Sequence, residues 1–436
     1  MKSDPGAVDV AIVGGGFSGT MMAAQLVERG LSVVLVEGAG RAGQGTAYST
    51  RDAVHLLNVP AAKMSAWPDQ PDDFVASGHD AAAFAPRRDY GVYLRAILDQ
   101  AVDAGVSVKA ATAVSAVREG DWRVTLDEGQ DVVARALVLA QGNQPPEPMR
   151  VGAGIDPALF VNNPWSEAAR SAIERVARDD GAVLILGTGL TMVDQVLSLT
   201  AAGHRGKIVA LSRRGQMPRG HAPHDAVPVD AGDVPQGNVL ALWRWLRGRS
   251  KSNWRGAVDS LRPHAQALWR GLDDGEQGRF LRHARPYWDV HRHRIAPQVA
   301  AQLQAMIAEG RLEIVAGRVG AVTEHDGSLD VEIARRGSRP GFGERQRFGV
   351  VFNCTGPLGA MGRSRDRLLR QMIADGLVAV DRLGMGLAVN GDSLAGERLW
   401  ALGPLTKGAF WEIVAVPDIR GQAAHVADRI ARELAA

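Results

Sequence analysis

The sequence predicts an α/β chain with two Rossmann-like dinucleotide-binding folds, the second carrying a helical insertion. Three observations point there: a length of 436 residues, a strand-and-glycine plan that the chain runs through twice, and 51 glycines. At about 150 residues per domain the length asks for two or three domains. The usual glycine share of about 7% leaves roughly twenty of these glycines to explain.

The first pass opens on an apolar run at residues 9–13, short enough for a buried strand, that enters Gly14-Gly15-Gly16-Phe17-Ser18-Gly19. A helical pattern at 20–29 and a second strand at 31–36 follow, ending in Glu37. A helix at 93–104, a strand at 106–108, an alternating segment at 122–126 and a closing run at 136–142 complete it, the last ending in Gly142.

The second pass repeats the plan. A strand at 183–186 enters Gly187-Thr188-Gly189-Leu190-Thr191-Met192, a helix runs through residue 199, and a strand at 208–211 ends in Ser212-Arg213-Arg214. A helix at 299–308, strands at 312–315 and 329–333, and a closing run at 350–356 through Cys354 to Gly356 follow. Two such strand–loop–helix–strand openings imply two parallel-sheet folds. The predicted division is 1–165 with 351–436 for the first fold and 166–350 for the second.

Between the opening and closing of the second pass, Val239, Leu242, Trp243 and Leu246 recur at helical spacing, which predicts inserted helices at about 228–297. Trp243, Trp245, Trp254, Trp269 and Trp288 fall in this block and are read as helix packing rather than as an aromatic ligand box.

The first loop has the glycine spacing of a dinucleotide site at Gly14, Gly16 and Gly19. That spacing serves a tight turn, close approach of backbone to a pyrophosphate, and contact between helix and strand. Glu37, at the end of the next strand, is placed to accept both hydroxyls of a ribose. In the second copy the third glycine is Met192, and Arg213 and Arg214 stand where Glu37 stands in the first. A carboxylate repels a 2′-phosphate and guanidinium groups bind it, so the second site is expected to take NADPH. The first, with its carboxylate, is expected to take FAD, and Gly356 and Gly403 join the backbone positions expected near the cofactors.

Composition excludes several classes. One cysteine, Cys354, allows neither an intramolecular disulfide nor a dithiol redox pair, and it is read as a small buried residue. Fifty basic against 48 acidic residues do not suit a nucleic-acid binder. No segment reads as a signal peptide or membrane span, so the expected location is cytoplasmic, with no membrane partner. His221 with His224, and His291 with His293, lack a third ligand, and no metal is expected.

Several stretches then resemble one group, the bacterial FAD/NAD(P)-binding proteins related to class B flavin monooxygenases. They are the two glycine loops, Gly45-Thr46-Ala47-Tyr48-Ser49, Leu57-Asn58-Val59-Pro60 with Met64-Ser65, Arg285-Pro286-Tyr287-Trp288, Leu402-Gly403-Pro404 and Phe410-Trp411-Glu412. Some relatives in that group resemble N-hydroxylating enzymes. The resemblance implies that NADPH reduces FAD and that a flavin hydroperoxide, formed with dioxygen, oxygenates a heteroatom of a small-molecule substrate. Nitrogen of an amino acid or small amine is the expected target. The alternative is an NADPH:acceptor flavin oxidoreductase that inserts no oxygen.

The chain departs from Baeyer–Villiger enzymes, offering only Phe160, Asn163, Pro164 and Trp165 where their longer fingerprint would stand. The resemblance also puts Tyr48, Asn58, Lys63 and Met64 near the flavin. Asn58, Lys63, Trp411 and Glu412 are the residues expected at the reacting end, and Glu412 reads either as a partner for a substrate ammonium or as a helix cap. The inserted helices are free to cover substrate or to form a homodimer contact.

Overall fold

The computed structural model describes residues 6–339 and 343–436; the N-terminal residues 1–5, expected to carry no address, lie outside them. The first sheet takes β1 (Val8–Val13), β2 (Val33–Val36), β3 (Ser107–Lys109), β4 (Ala113–Glu119), β5 (Asp121–Leu126) and β6 (Asp131–Leu139) from the N-terminal part of the chain. The second takes β7 (Phe160–Val161), β8 (Val183–Leu186), β9 (Ile208–Ser212), β10 (Leu312–His325), β11 (Ser328–Arg335), β12 (Glu344–Phe348) and β13 (Val350–Asn353). β14 (Leu394–Gly396) and β15 (Leu399–Ala401) then return to the first.

The first sheet runs β14-β15-β6-β1-β2-β3, with β5 paired to β6 and β4 to β5; the second runs β12-β11-β10-β9-β8-β13-β7. In both, the opening strand lies between the strand after its helix and the returning strand, all parallel. That placement follows from sequence. β8 and residues 10–13 of β1 are continuous apolar runs buried on both faces, as a central parallel strand must be.

Two short strands fall on the other side of the predicted boundaries. Phe160–Val161 and Val350–Asn353 pair with each other, and β13 pairs with β8, so both belong to the second sheet. The predicted division puts the first with residues 1–165 and most of the second with 351–436. We therefore draw the seam before residue 160 and after residue 353. A two-residue strand has no periodicity to read, and the hydrogen-bonding ladder assigns it.

Helices Phe17–Glu28, Arg87–Asp103 and Val416–Ala435 cover one face of the first sheet with a core that includes Met22, Leu26, Tyr90, Leu94 and Val426. In the second fold, helices Glu167–Asp179, Leu190–Ala201 and Pro297–Ala308 do the same around Ile185, Val196 and Leu303. The insertion forms the predicted helices, among them Val239–Ser260, broken by a kink at Asn253, and has a core of its own around Trp269, Trp288 and Leu268. The packing reading holds for Trp269 and Trp288, both buried, while Trp245 and Trp254 pack against that core. Among the described residues no helix is long and apolar enough to cross a membrane.

The two folds are locked by a polar contact. Arg87 Nη1 donates to Asp194 Oδ2 at 2.9 Å, and His55 Nε2 lies 2.8 Å from Ser198 Oγ, which in turn donates to Asp52. Arg87, His55 and Asp52 come from the first fold; Asp194 and Ser198 lie on Leu190–Ala201, the helix that follows the second glycine loop. The Asp194 side chain is only 5% exposed. Arg87→Ala strands that carboxylate without its cation, and a loss of about 3–5 kcal/mol in urea unfolding is expected.

Candidate functional site

Both glycine loops are shaped by contacts that only glycine permits. Gly14 has φ +104°, and a Cβ on it would stand 2.6 Å from the Ala140 carbonyl oxygen. Gly187 has φ +112°, with a Cβ position 2.1 Å from the Cys354 carbonyl oxygen. In each fold the loop is thus pressed against the end of the returning strand. A Cβ on Gly19 would lie 1.8 Å from Gly14 O, whereas Met192, its counterpart, is fully buried in the second core. The helix–strand approach is therefore closer in the first fold, as the missing third glycine implies.

Gly16 and Gly189 are the N-caps of the following helices, and neither helix has a side-chain cap or an acidic residue in its first turn. By contrast, Ser166, Asn238, Asp273 and Asp366 cap theirs. An uncapped first turn leaves backbone N–H groups and the positive end of the helix dipole available to an anion. Phe17 and Ser18 present their backbone at this turn, since the Phe17 ring is buried against Tyr90 and the Ser18 hydroxyl faces Gly403. At the second loop Leu190 and Thr191 form the same turn.

Past the loops the two folds differ in charge. Glu37 accepts from Gly15 N–H at 2.7 Å and from Ala39 N–H at 2.9 Å, which fixes the carboxylate beside the first loop. At the end of β9, Ser212 is held by Thr188 at 2.9 Å and accepts from Gly215 N–H at 3.0 Å. Arg213 is exposed and makes no ion pair among the described residues, whereas Arg214 donates to the Arg282 carbonyl and lies over the Tyr287 ring. Arg213 is thus the freer of the two cations.

The other expected residues divide into three groups. Gly142 and Gly403 follow β6 and β15 in the first fold and Gly356 follows β13 in the second, all three at positive φ. A Cβ on Gly403 would stand 2.6 Å from Ser18 Oγ. Tyr48 lies edge-on to Tyr90 at 4.7 Å; burial pushes its phenol up to about 12, so it stays a protonated donor. Asn58 is at the seam, lining a narrow crevice with Leu56, Leu190 and Asp194, and its carbonyl lies 2.9 Å from His221 Nε2. Met64, in contrast, is 3% exposed and packs inside the first core, while Lys63 is exposed on the rim of a separate cleft.

Trp411 and Glu412 sit in the insertion's packing. Trp411 stacks on Trp269 at 4.9 Å and meets Phe280 edge-on. Glu412 accepts from Trp288 Nε1 at 2.5 Å and from Arg292 Nε at 3.1 Å. The cap reading of Glu412 is corrected, since the N-cap of the last helix is Ala415, and the Glu412 side chain, only 6% exposed, is held inside the packing rather than offered to a substrate ammonium. It pins the C-terminal segment of the first fold to the inserted helices.

Burial raises the Cys354 thiol well above its ordinary value, in line with a packing role beside Gly187. His224 pairs with Asp259 at 2.9 Å, and His291 Nδ1 lies 2.7 Å from the Tyr287 carbonyl. No group of three metal-binding side chains exists among the described residues.

One residue escaped sequence reasoning. Lys407, just after the Gly403–Thr406 turn, donates to Asn143 Oδ1 at 2.6 Å and so ties that turn to the residue following Gly142. Burial, then Arg285, lowers its ammonium to about 8. Below pH 8 the folded protein holds a poorly solvated cation. From pH 8 to the ordinary lysine value of 10.5 only the unfolded chain keeps the proton, so stability rises with pH across that window. Lys407→Met should flatten this rise in denaturant midpoints measured at pH 7.5 to 10.5. No local pattern could flag it, because its partner lies 264 residues away.

Residues 11–144 match the family model described as FAD-NAD(P)-binding. No curated protein matches the sequence. Among solved structures the fold is similar to ornithine hydroxylase from Pseudomonas aeruginosa at 16% identity and TM-score 0.64, covering 98% of this chain and 100% of that one. It is similar to an ornithine N-hydroxylase from Kutzneria sp. 744, seen with reduced FAD, NADP⁺ and L-ornithine, at 17% identity and TM-score 0.63 over 98% and 100% of the two chains. Thioredoxin reductase from Lactococcus lactis shares it at 11% identity and TM-score 0.56 over 98% and 99%. Residues 11–144 thus form an FAD/NAD(P)-binding domain, in a fold shared with flavin-dependent oxidoreductases.

Proposed function

We propose that this protein is an NADPH-dependent FAD monooxygenase that oxygenates a heteroatom, with N-hydroxylation of an amino acid or small amine as its reaction. The observation that carries the reading is the charge contrast between equivalent strand ends, Glu37 in the first fold and Arg213 with Arg214 in the second. The cradle at Gly14, Gly16 and Gly19, which side chains would fill, fits FAD. The backbone of the first helical turn would hold its pyrophosphate and Glu37 its ribose. The loop at Gly187 and Gly189, with Arg213, would hold NADPH.

FAD, when bound, accepts hydride from NADPH and passes electrons to dioxygen. The chain's own residues orient and shield. The Arg87–Asp194 lock fixes the helix after the second glycine loop against the first fold, and Leu56, Asn58 and Leu190 leave little room for water at the seam. With one cysteine the chain lacks the dithiol by which a disulfide reductase works, which favours oxygen as the electron sink.

The test is to supply NADPH and air with ornithine, lysine or small amines and to measure hydroxylated product and hydrogen peroxide per NADPH consumed. Product approaching one per NADPH for any of these supports the reading. Peroxide alone from all of them, with fast electron transfer to a quinone, leaves the acceptor oxidoreductase. Arg213→Ala with Arg214→Ala should raise the KM for NADPH by about 10- to 100-fold and leave that for NADH nearly unchanged, since only NADPH carries the phosphate they pair with.

A further inference from the structure

An open cleft of about 850 Å³ lies between the inserted helices and the C-terminal helix Val416–Ala435. No residue of either glycine loop lines it. Its wall carries four cations, Lys63, Arg262, Arg270 and Arg420, against one carboxylate, Asp418. His425, at the edge, is held by Asp392 at 2.9 Å. The cations come from three distant stretches of chain, so no run of basic sequence announces the patch.

Most of their hydrogen-bonding capacity is unused. The Arg262 side chain is half-buried yet has no hydrogen bond or ion pair among the described residues, and burial, then the neighbouring Arg292, lowers its pKa. The Lys63 side chain is exposed and also makes none. Arg420 donates one N–H to the Ser65 carbonyl at 2.7 Å, and Arg270 one, at 3.4 Å, to the Gln266 carbonyl. Asp418 comes within ion-pair distance of none of them, and burial raises its carboxyl. A partly buried guanidinium without a partner is costly unless something pairs with it. Converging guanidinium forks suit carboxylate and phosphate oxygens. The volume is that of a small-molecule site.

The cleft also backs onto the first nucleotide loop. Gln422 lines it, accepts from Gly403 N–H at 2.8 Å and donates to Ser393 Oγ at 2.9 Å, and the other side of Gly403 faces Ser18. We propose that this cleft binds a small polyanion, bearing two or more carboxylate or phosphate groups, at a site distinct from both dinucleotide loops. The assignment concerns what the cleft binds and stands whether or not the bound flavin inserts oxygen.

Calorimetric titration of the FAD-loaded protein, held saturated with NADP⁺ at constant ionic strength, tests it with citrate and pyrophosphate as probes and acetate as the monoanion control. Saturable binding of citrate or pyrophosphate but not acetate is expected, and the tighter of the two identifies carboxylate or phosphate as the recognised group. Arg270→Ala should weaken it about tenfold and Arg262→Ala with Arg270→Ala about a hundredfold, roughly tenfold for each charge-assisted hydrogen bond removed. Thermal melts and Arg262→Lys guard against a misfolded double variant, and Arg270, being exposed, can be read alone. The proposal is overturned if neither probe saturates, if the variants bind as the parent does, or if Arg213→Ala weakens the probes equally.

Discussion

Gly187→Ala should leave a yellow protein that binds FAD normally and is reduced by NADPH about a hundredfold more slowly, because a misplacement of about 1 Å near the reacting centre costs that much. The new methyl would stand 2.1 Å from the Cys354 carbonyl oxygen, at a φ of +112° that an alanine resists. A backbone carbonyl at the strand end, on a residue whose N–H is tied to the Leu186 carbonyl at 2.7 Å, cannot swing aside as a side-chain tip can, so the loop must lift from the returning strand. That displaces the uncapped turn at Gly189, Leu190 and Thr191 on which the phosphates would rest. The first loop is closed by Ala140 and Gly403 on a different sheet and keeps its shape. Anaerobic stopped-flow absorbance follows the reduction, and an unchanged rate would remove NADPH from this loop.

Glu412→Ala is the second large effect, with about 3–5 kcal/mol lost in urea unfolding followed by tryptophan fluorescence. The side chains of Arg292 and Glu412 are only 9% and 6% exposed, so removing the carboxylate leaves a buried guanidinium alone and Trp288 N–H without its acceptor. Glu412 also sits at φ +65°, a conformation that costs a non-glycine residue of order 1 kcal/mol or more. The local geometry is held because the pair over-determines it. Glu412→Gln, which keeps an acceptor for Trp288, should lose less. Were Glu412 a substrate ligand instead, the Gln variant would keep its stability and raise only KM.

The residues that were legible in the sequence are those whose role is local. Gly14 and Gly187 announce themselves because their turns are made within a few residues of a strand and a helix. Glu37 and Arg213 are legible because a strand of known length carries each from its loop. The inserted helices showed through the spacing of Val239, Leu242 and Leu246. Met64 is expected near the flavin by resemblance alone, and its side chain turns into the first core. Glu412 misled because its partners, Trp288 and Arg292, lie 124 and 120 residues away.

The sequence by itself determined the doubled α/β plan, the two glycine loops and the opposite charges at their strand ends, since each depends on periodicity and spacing along a short stretch. The tertiary structure alone decided that β7 closes the edge of the second sheet and that Arg87 and His55 lock the folds together. It decided too that Glu412 is spent on Arg292 and that Lys63 shares a cleft with Arg262, Arg270 and Arg420. The physical reason is common to all of these. A side chain's charge or hydrogen bond is satisfied by whichever group the packing of distant segments brings within about 3 Å, and the chain gives no local sign of that group.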